Sequence, residues 1–146
     1  MAEGTTSLDV AIGEVSDAAA DLDLTVYDAQ GKVVGQSADP DSDESVSLAN
    51  PAAGMYTVEV LAYAVPSGST SYDHRDVFFS SALGKVAVDE SSPVRLGTGD
   101  SVKVSASVTA GRAVAEGREL VGRIRLVHTR GMTLGVGDVT IEKVTQ

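Results

Sequence analysis

The run Ala20-Asp21-Leu22-Asp23-Leu24-Thr25-Val26-Tyr27-Asp28 decides the fold class, because it alternates with a strict period of two. Leu22, Leu24 and Val26 fall on one face, and Asp21, Asp23, Thr25 and Tyr27 fall on the other. Successive side chains of a strand point to opposite faces, so this run has one dry and one wet side. A second run, Asn50-Pro51-Ala52-Ala53-Gly54-Met55-Tyr56-Thr57-Val58-Glu59-Val60, turns at Pro51 and Gly54 and then repeats the pattern. There Tyr56, Val58 and Val60 share a face against Thr57 and Glu59. Half-wet strands of this kind belong to antiparallel sheets packed face to face in a β-sandwich.

Working outward, further strands are expected at residues 7–12, 32–36, 45–48 and 76–81, with the second run above extending over 55–63. Asp28-Ala29-Gln30-Gly31 has the composition of a tight hairpin turn. Residues 38–44 read as an acidic loop and 66–72 as a Ser/Gly/Thr loop. A boundary is expected near Ala82 to Lys85, where composition and charge change together. Beyond it, strands are expected at 85–89, 94–96, 102–109, 120–129 and 139–144, separated by Pro93, by Gly97-Thr98-Gly99-Asp100 and by glycines 131, 135 and 137. Gly111 and Gly117 make residues 110–120 a loop. No segment sustains a helical period. The chain is therefore read as all-β: two small antiparallel β-sandwich modules in tandem, over residues 1–83 and 84–146. The first core is expected to hold Leu22, Leu24, Val26, Val46, Leu48, Tyr56, Val58 and Val60. The second is expected to hold Val86, Val88, Val102, Val104, Val108, Leu120, Ile124, Leu126 and Ile141.

Composition narrows the function. A chain of 146 residues with 42% hydrophobic residues can bury a core, and it has no apolar run of membrane-spanning length. It has no cysteine, so no disulfide or thiolate metal site holds it together. The opening Met1-Ala2-Glu3-Gly4-Thr5-Thr6 has neither the basic nor the apolar segment of a signal peptide, which fits a cytosolic protein or a piece of a larger secreted one. Residues 1–83 carry 14 acidic side chains against Lys32 and Arg75, a net of −12. Residues 84–146 carry 7 against 9 basic ones, a net of +2, which together give the −10 of the whole chain. An acidic half of this strength repels phosphate backbones and anionic lipid, so neither nucleic acid nor membrane is an expected partner.

Two motifs carry a family resemblance. Asp21-Leu22-Asp23-Leu24-Thr25-Val26-Tyr27-Asp28-Ala29-Gln30-Gly31-Lys32 resembles the core motif of bacterial pre-peptidase C-terminal domains. So does Pro51-Ala52-Ala53-Gly54-Met55-Tyr56-Thr57-Val58-Glu59-Val60, followed by Tyr63-Ala64-Val65-Pro66-Ser67-Gly68. The second half, with Leu83-Gly84-Lys85-Val86-Ala87-Val88, the run 101–108 and Leu120-Val121-Gly122, resembles the fibronectin type III-like module that follows such domains in large subtilisin-like proteases. Thr25 stands where the family carries an aromatic, and Met55 where it carries Thr or Ser. The resemblance implies a jelly-roll-like sandwich followed by a fibronectin type III-like module. It implies the C-terminal region of a secreted precursor, attached to a protease catalytic domain in the same parent chain. Its role would be to aid folding, stability or secretion, and some such regions are trimmed on maturation. The alternative is a module that binds an extended or insoluble protein substrate or surface.

The residues themselves do not build an enzyme. A serine protease needs a nucleophile, a histidine base and a carboxylate that orients it. The two histidines, His74 and His128, have no such context, and Gly4-Thr5-Thr6-Ser7 is not a nucleophile motif. Calcium is the chemical hypothesis that remains. Asp39, Asp41 and Asp43 have the spacing of the first three EF-hand ligands, but Glu44 and Asn50 stand where that loop needs Gly and Glu. The carboxylates leave two readings. One is a looser calcium site in which Asp21, Asp23 or Asp28 joins Asp39, Asp41 and Asp43; the other is a solvated acidic loop. Tyr27, Tyr63 and Tyr72 are candidates for an outer contact strip for an extended polypeptide, or for simple sheet braces. Arg123 and Arg125 share the wet face of one strand, as a docking patch or as an ordinary solvated face.

Overall fold

A computed structural model of the chain describes residues 1–113 and 115–141. The described residues are all-β, ten antiparallel strands with no helix, in two compact units that divide after Ala82.

The first unit holds six strands: β1 (Thr5–Gly13), β2 (Asp21–Tyr27), β3 (Val33–Ser37), β4 (Glu44–Ala49), β5 (Thr57–Ala64) and β6 (Asp73–Ser80). They form two three-stranded sheets, ordered β4-β1-β6 and β3-β2-β5, with β1 and β2 at the centres. Both central strands turn alternate side chains inward. Leu8, Val10 and Ile12 from β1 meet Leu22, Leu24 and Val26 from β2, with Val46 of β4 beside them. Leu24 and Val26 are 0% exposed. Leu48, Tyr56, Val58, Val60 and Phe78 pack around that centre while remaining partly exposed. Burial of each large aliphatic side chain contributes about 1.5–3 kcal/mol. The expected face assignment of β2 and β5 therefore holds. Leu8, Val10 and Ile12 supply three of the seven residues of the buried aliphatic centre and are an addition to the expected core.

The sheets approach closely where β3 crosses β4. Gly35 sits opposite Val26 in the ladder, and a Cβ there would overlap the side chain of Val46. Thr25 belongs to the outward face of β2 yet is only 7% exposed, because Gln36 of β3 and Glu59 of β5 flank it on both sides.

The second unit starts at Leu83 and forms two hairpin-like sheets. β7 (Gly84–Val88) pairs with β8 (Ala106–Ala110), and β9 (Leu120–Val127) pairs with β10 (Thr133–Ile141). Gly122 of β9 is the point of closest approach, lying under the Val86 side chain, and it is the one buried residue among those described in this unit. Residues 94–96 and 102–105, expected as strand, lie outside any strand, and the last part of the expected strand 139–144 lies outside the described residues. The expected second core needs correction at four positions. Val102, Val104, Val108 and Leu126 are 47%, 55%, 43% and 47% exposed. Val102 and Val104 have no strand to fix a face, and Val108 sits on a strand paired on one side only. Leu126 faces Gly135 across the ladder, which offers no side chain to cover it. Val86, Val88, Leu120, Ile124 and Ile141 are half-buried.

Candidate functional site

The six aspartates considered for calcium fall into different local structures. Asp21 and Asp23 lie on the outward face of β2, whereas Asp28 closes the β2–β3 hairpin. There the Asp28 Oδ1 accepts hydrogen bonds from the backbone N–H of Gln30 and of Lys32, each at 2.9 Å. Gly31 completes the turn with φ 76°. Asp28 is thus a turn residue whose carboxylate satisfies backbone donors.

Asp39, Asp41 and Asp43 belong to the loop that carries the chain from β3 in one sheet to β4 in the other. Asp41 turns inward on itself, its Oδ1 accepting from Asp43 N–H at 2.9 Å. The loop is fastened to the entry of β2. Leu22 N–H donates to the Asp41 carbonyl at 3.1 Å, and the buried Ser42 hydroxyl donates to the Ala20 carbonyl at 2.7 Å. Asp21, between those two anchors, is the strand aspartate that the loop approaches in the fold. Its Oδ1 is buried without a hydrogen-bond partner. Among the described residues, however, no three His, Cys, Asp or Glu side chains form a group able to hold a metal ion.

The carboxylate that organises this loop is Glu44, which begins β4 and does not belong to the loop expected over residues 38–44. It is 1% exposed. Its Oε1 accepts from Asp39 N–H at 2.8 Å, and its Oε2 accepts from the Ser37 hydroxyl. A period-two signal for it existed: Glu44 has the same parity as the inward-facing Val46 and Leu48.

The three tyrosines do not form one strip. Tyr27 ends β2 on the outward face of the β3-β2-β5 sheet, and its hydroxyl donates to Glu59 Oε1 at 3.1 Å. That bond, then burial and the Glu59 charge, push the phenol above its ordinary 10.0. Tyr63 stands at a bulge near the end of β5 and is 72% exposed, but it lies six residues along the strand from the Thr57 that pairs with Tyr27. At the strand rise that separation is roughly 20 Å. Tyr72 lies outside the strands of that sheet, just before β6. Between Tyr27 and Tyr63, on the outward face of β5, stand Glu59 and Leu61, and Leu61 is 52% exposed. Leu61 pairs with Asp23. Its sequence signal is a leucine at the parity of Thr57 and Glu59, which breaks the polar pattern of the wet face.

A second feature of the unit is a depression lined by Asp28, Val34, Leu48, Pro51, Ala53 and Tyr56. Its walls are mixed, with Gln30 and Ser47 among the apolar residues, and Asp28, the acidic group there, already serves the turn. The histidines lie elsewhere. His74 is exposed on β6, level with Ile12 of β1, and the His128 Nδ1 accepts from Arg130 N–H at 3.1 Å in the turn after β9. In the second unit Arg123 forks onto Asp138 of β10, its Nε at 2.8 Å from Oδ1 and its Nη2 at 3.2 Å from Oδ2. Such an exposed cross-strand pair contributes about 0.2–1 kcal/mol.

With this geometry in hand, similarity to known proteins is informative. Residues 1–62 match the family model of the bacterial pre-peptidase C-terminal domain. That match runs from the N-terminus into β5, and the strand that follows, β6, completes the first sheet. The chain is also 33% identical over 114 residues, 75% of its length, to pyrolysin of Pyrococcus furiosus, a subtilisin-like protease. It spans 8% of the length of that protein. No solved structure matches. The resemblance carried by residues 21–32 and 51–60 therefore holds.

Proposed function

We propose that this chain, similar to pre-peptidase C-terminal domains over its first 62 residues, is a non-catalytic accessory region of a secreted subtilisin-like protease. It would sit C-terminal to the catalytic domain of the same parent chain and aid its folding, stability or secretion. In this reading residues 1–83 form the pre-peptidase C-terminal-like sandwich and residues 84–146 a fibronectin type III-like module. The observation that carries the proposal is the match of residues 1–62 together with the similarity to pyrolysin across most of the chain. The chemistry of the described residues agrees with it. Triad catalysis requires a histidine held by a carboxylate and facing a nucleophile. His128 instead accepts a backbone hydrogen bond through Nδ1, and His74 stands exposed on β6.

Two measurements test the proposal. The purified chain should not hydrolyse casein or ester substrates, and turnover that His74→Ala or His128→Ala abolished would overturn it. Deleting the region from its parent precursor should lower the yield of secreted, active protease and leave kcat/KM on a short peptide unchanged. Unchanged yield and unchanged thermal half-life would remove the accessory role.

A further inference from the structure

The first unit has four edge strands, and they are not equally protected. A sheet edge exposes unpaired backbone N–H and C=O groups, and proteins usually blunt it with charge, brevity, bulges or Pro. β6 begins with Asp73, His74, Arg75 and Asp76. β3 has five residues including Gly35, and β4 has six. β5 is different. It runs for eight residues, Thr57 to Ala64, with no Lys, Arg or Pro, its bulge is confined to the Ala62–Ala64 end, and β2 pairs with it on one side only.

Its side chains add to this. Val58 and Val60 turn into the core, which fixes the strand and leaves Thr57, Glu59 and Leu61 on the outer face, with Tyr63 at the bulge that follows. Leu61 is 52% and Tyr63 72% exposed, so two large apolar side chains stand in solvent along an open edge. The charge beside them is acidic. Glu59 is exposed on β5, and Asp23 lies level with Leu61 on the neighbouring strand. Residues 1–83 carry a net −12, which attracts cationic chains and discourages a second copy of the same acidic surface.

We propose that the β5 edge is a docking site for an extended basic peptide, a segment in which Lys or Arg and an apolar residue stand two positions apart on one face, and which adds to the β3-β2-β5 sheet as a fourth strand. The open N–H and C=O groups of β5 would pair with the peptide backbone, which supplies affinity. Side chains on one face of the peptide would supply selectivity: a cationic residue beside Glu59 and, two positions along, an apolar one beside Leu61. Tyr27 orients Glu59 for this, since its hydroxyl already holds one carboxylate oxygen. The site does not depend on what the parent chain does.

The test uses the full chain and a blocked, fluorescein-labelled nonapeptide, Thr-Lys-Thr-Val-Thr-Lys-Thr-Val-Thr, which puts lysine and valine in turn on one face, followed by anisotropy. Saturable binding is expected. N-methylation of alternate peptide bonds removes the backbone donors and should weaken binding by about tenfold or more. Replacing the lysines with glutamates should do the same. On the protein, Leu61→Lys places an edge-guarding charge at an exposed position and should abolish binding without altering Tm. Glu59→Gln, which keeps an acceptor for Tyr27, should weaken binding and flatten its salt dependence. Equal affinity for the N-methylated peptide, unchanged binding by Leu61→Lys, or no saturable binding would each overturn the proposal. A concentration-dependent dimer in sedimentation that Leu61→Lys dissolves would overturn it too, by giving the edge to a second copy of the chain.

Discussion

Glu44 accepts the backbone N–H of Asp39 at 2.8 Å while itself being 1% exposed, so one buried carboxylate holds the loop that joins the two sheets of the first unit. The Ser37 hydroxyl at the end of β3 donates to its other oxygen. A buried carboxylate is costly unless its oxygens are hydrogen-bonded, and here both are. The acidic loop of residues 38–43 is thus tied at its base from the inside, and tied to β2 through Ser42 and Asp41.

Removing that carboxylate should be expensive. Glu44→Ala leaves the Ser37 hydroxyl and the Asp39 N–H without their acceptor and should destabilise the unit by about 2–4 kcal/mol. Glu44→Gln keeps one acceptor oxygen and should cost less. Urea denaturation measures both, and proteolysis within residues 38–43 should accelerate in the same order.

Gly35→Ala should destabilise by about 1–3 kcal/mol although it adds a single methyl group. The new Cβ overlaps the Val46 side chain, so the sheets must part or Val46 must leave its rotamer. Gly31→Ala would test a different cost, that of φ 76° in a turn where nothing crowds the new methyl. A Gly35→Ala protein as stable as the wild type would show that the sheets relax freely there.

The two units should respond differently to core truncation. Leu24→Ala removes a side chain that is 0% exposed and should cost about 2–5 kcal/mol. Val104→Ala, at a residue 55% exposed, should stay within about 0.5 kcal/mol. Chemical denaturation of the two variants checks the contrast.

Acid should release one staple. Hydrogen bonding from Ser67, and then from the backbone N–H of Ala19, holds the Asp17 carboxyl below its ordinary 3.8. A carboxyl lowered in the folded state contributes stability above its unfolded pKa and loses it as pH falls through the folded one. Asp17→Asn should therefore lower Tm at neutral pH, and the difference from wild type should shrink below the ordinary carboxylate range. A difference independent of pH would show that the carboxylate charge plays no part in linking residues 16–19 to residues 67–71.

Calcium should leave melting unchanged. The Asp28 and Asp41 Oδ1 atoms serve backbone donors, and among the described residues no three carboxylates converge. Equal Tm in EDTA and in millimolar calcium is the expected result. A calcium-dependent rise in Tm that Asp21→Asn removed would instead mark the buried Asp21 oxygen as a ligand.

Period-two alternation was enough to place β2 over residues 21–27, to assign its faces, and to orient Val58 and Val60 inward. A strand has only two faces, so local chemistry chooses between them and a one-residue slip would invert every position. The turn at Asp28 was legible for the same local reason. The family motifs lie in these segments, which is why the resemblance could be read from them.

Tertiary structure decided what depends on which strands become neighbours. Alternation could not say that β1 and β2 would each lie at the centre of a three-stranded sheet, so Leu8, Val10 and Ile12 were missed as core. Nor could it show that Glu44 would find Ser37 and Asp39 inside the fold, or that Tyr27 and Tyr63 would stand at opposite ends of one sheet. In the second unit the period of residues 102–108 and of Leu126 suggested a core that the fold does not close. Burial needs a partner across the gap as well as an apolar face, and at Leu126 that partner is Gly135. Pattern determines the face a side chain takes, but the pairing of distant strands determines whether that face is covered, left open as at β5, or held by a buried charge.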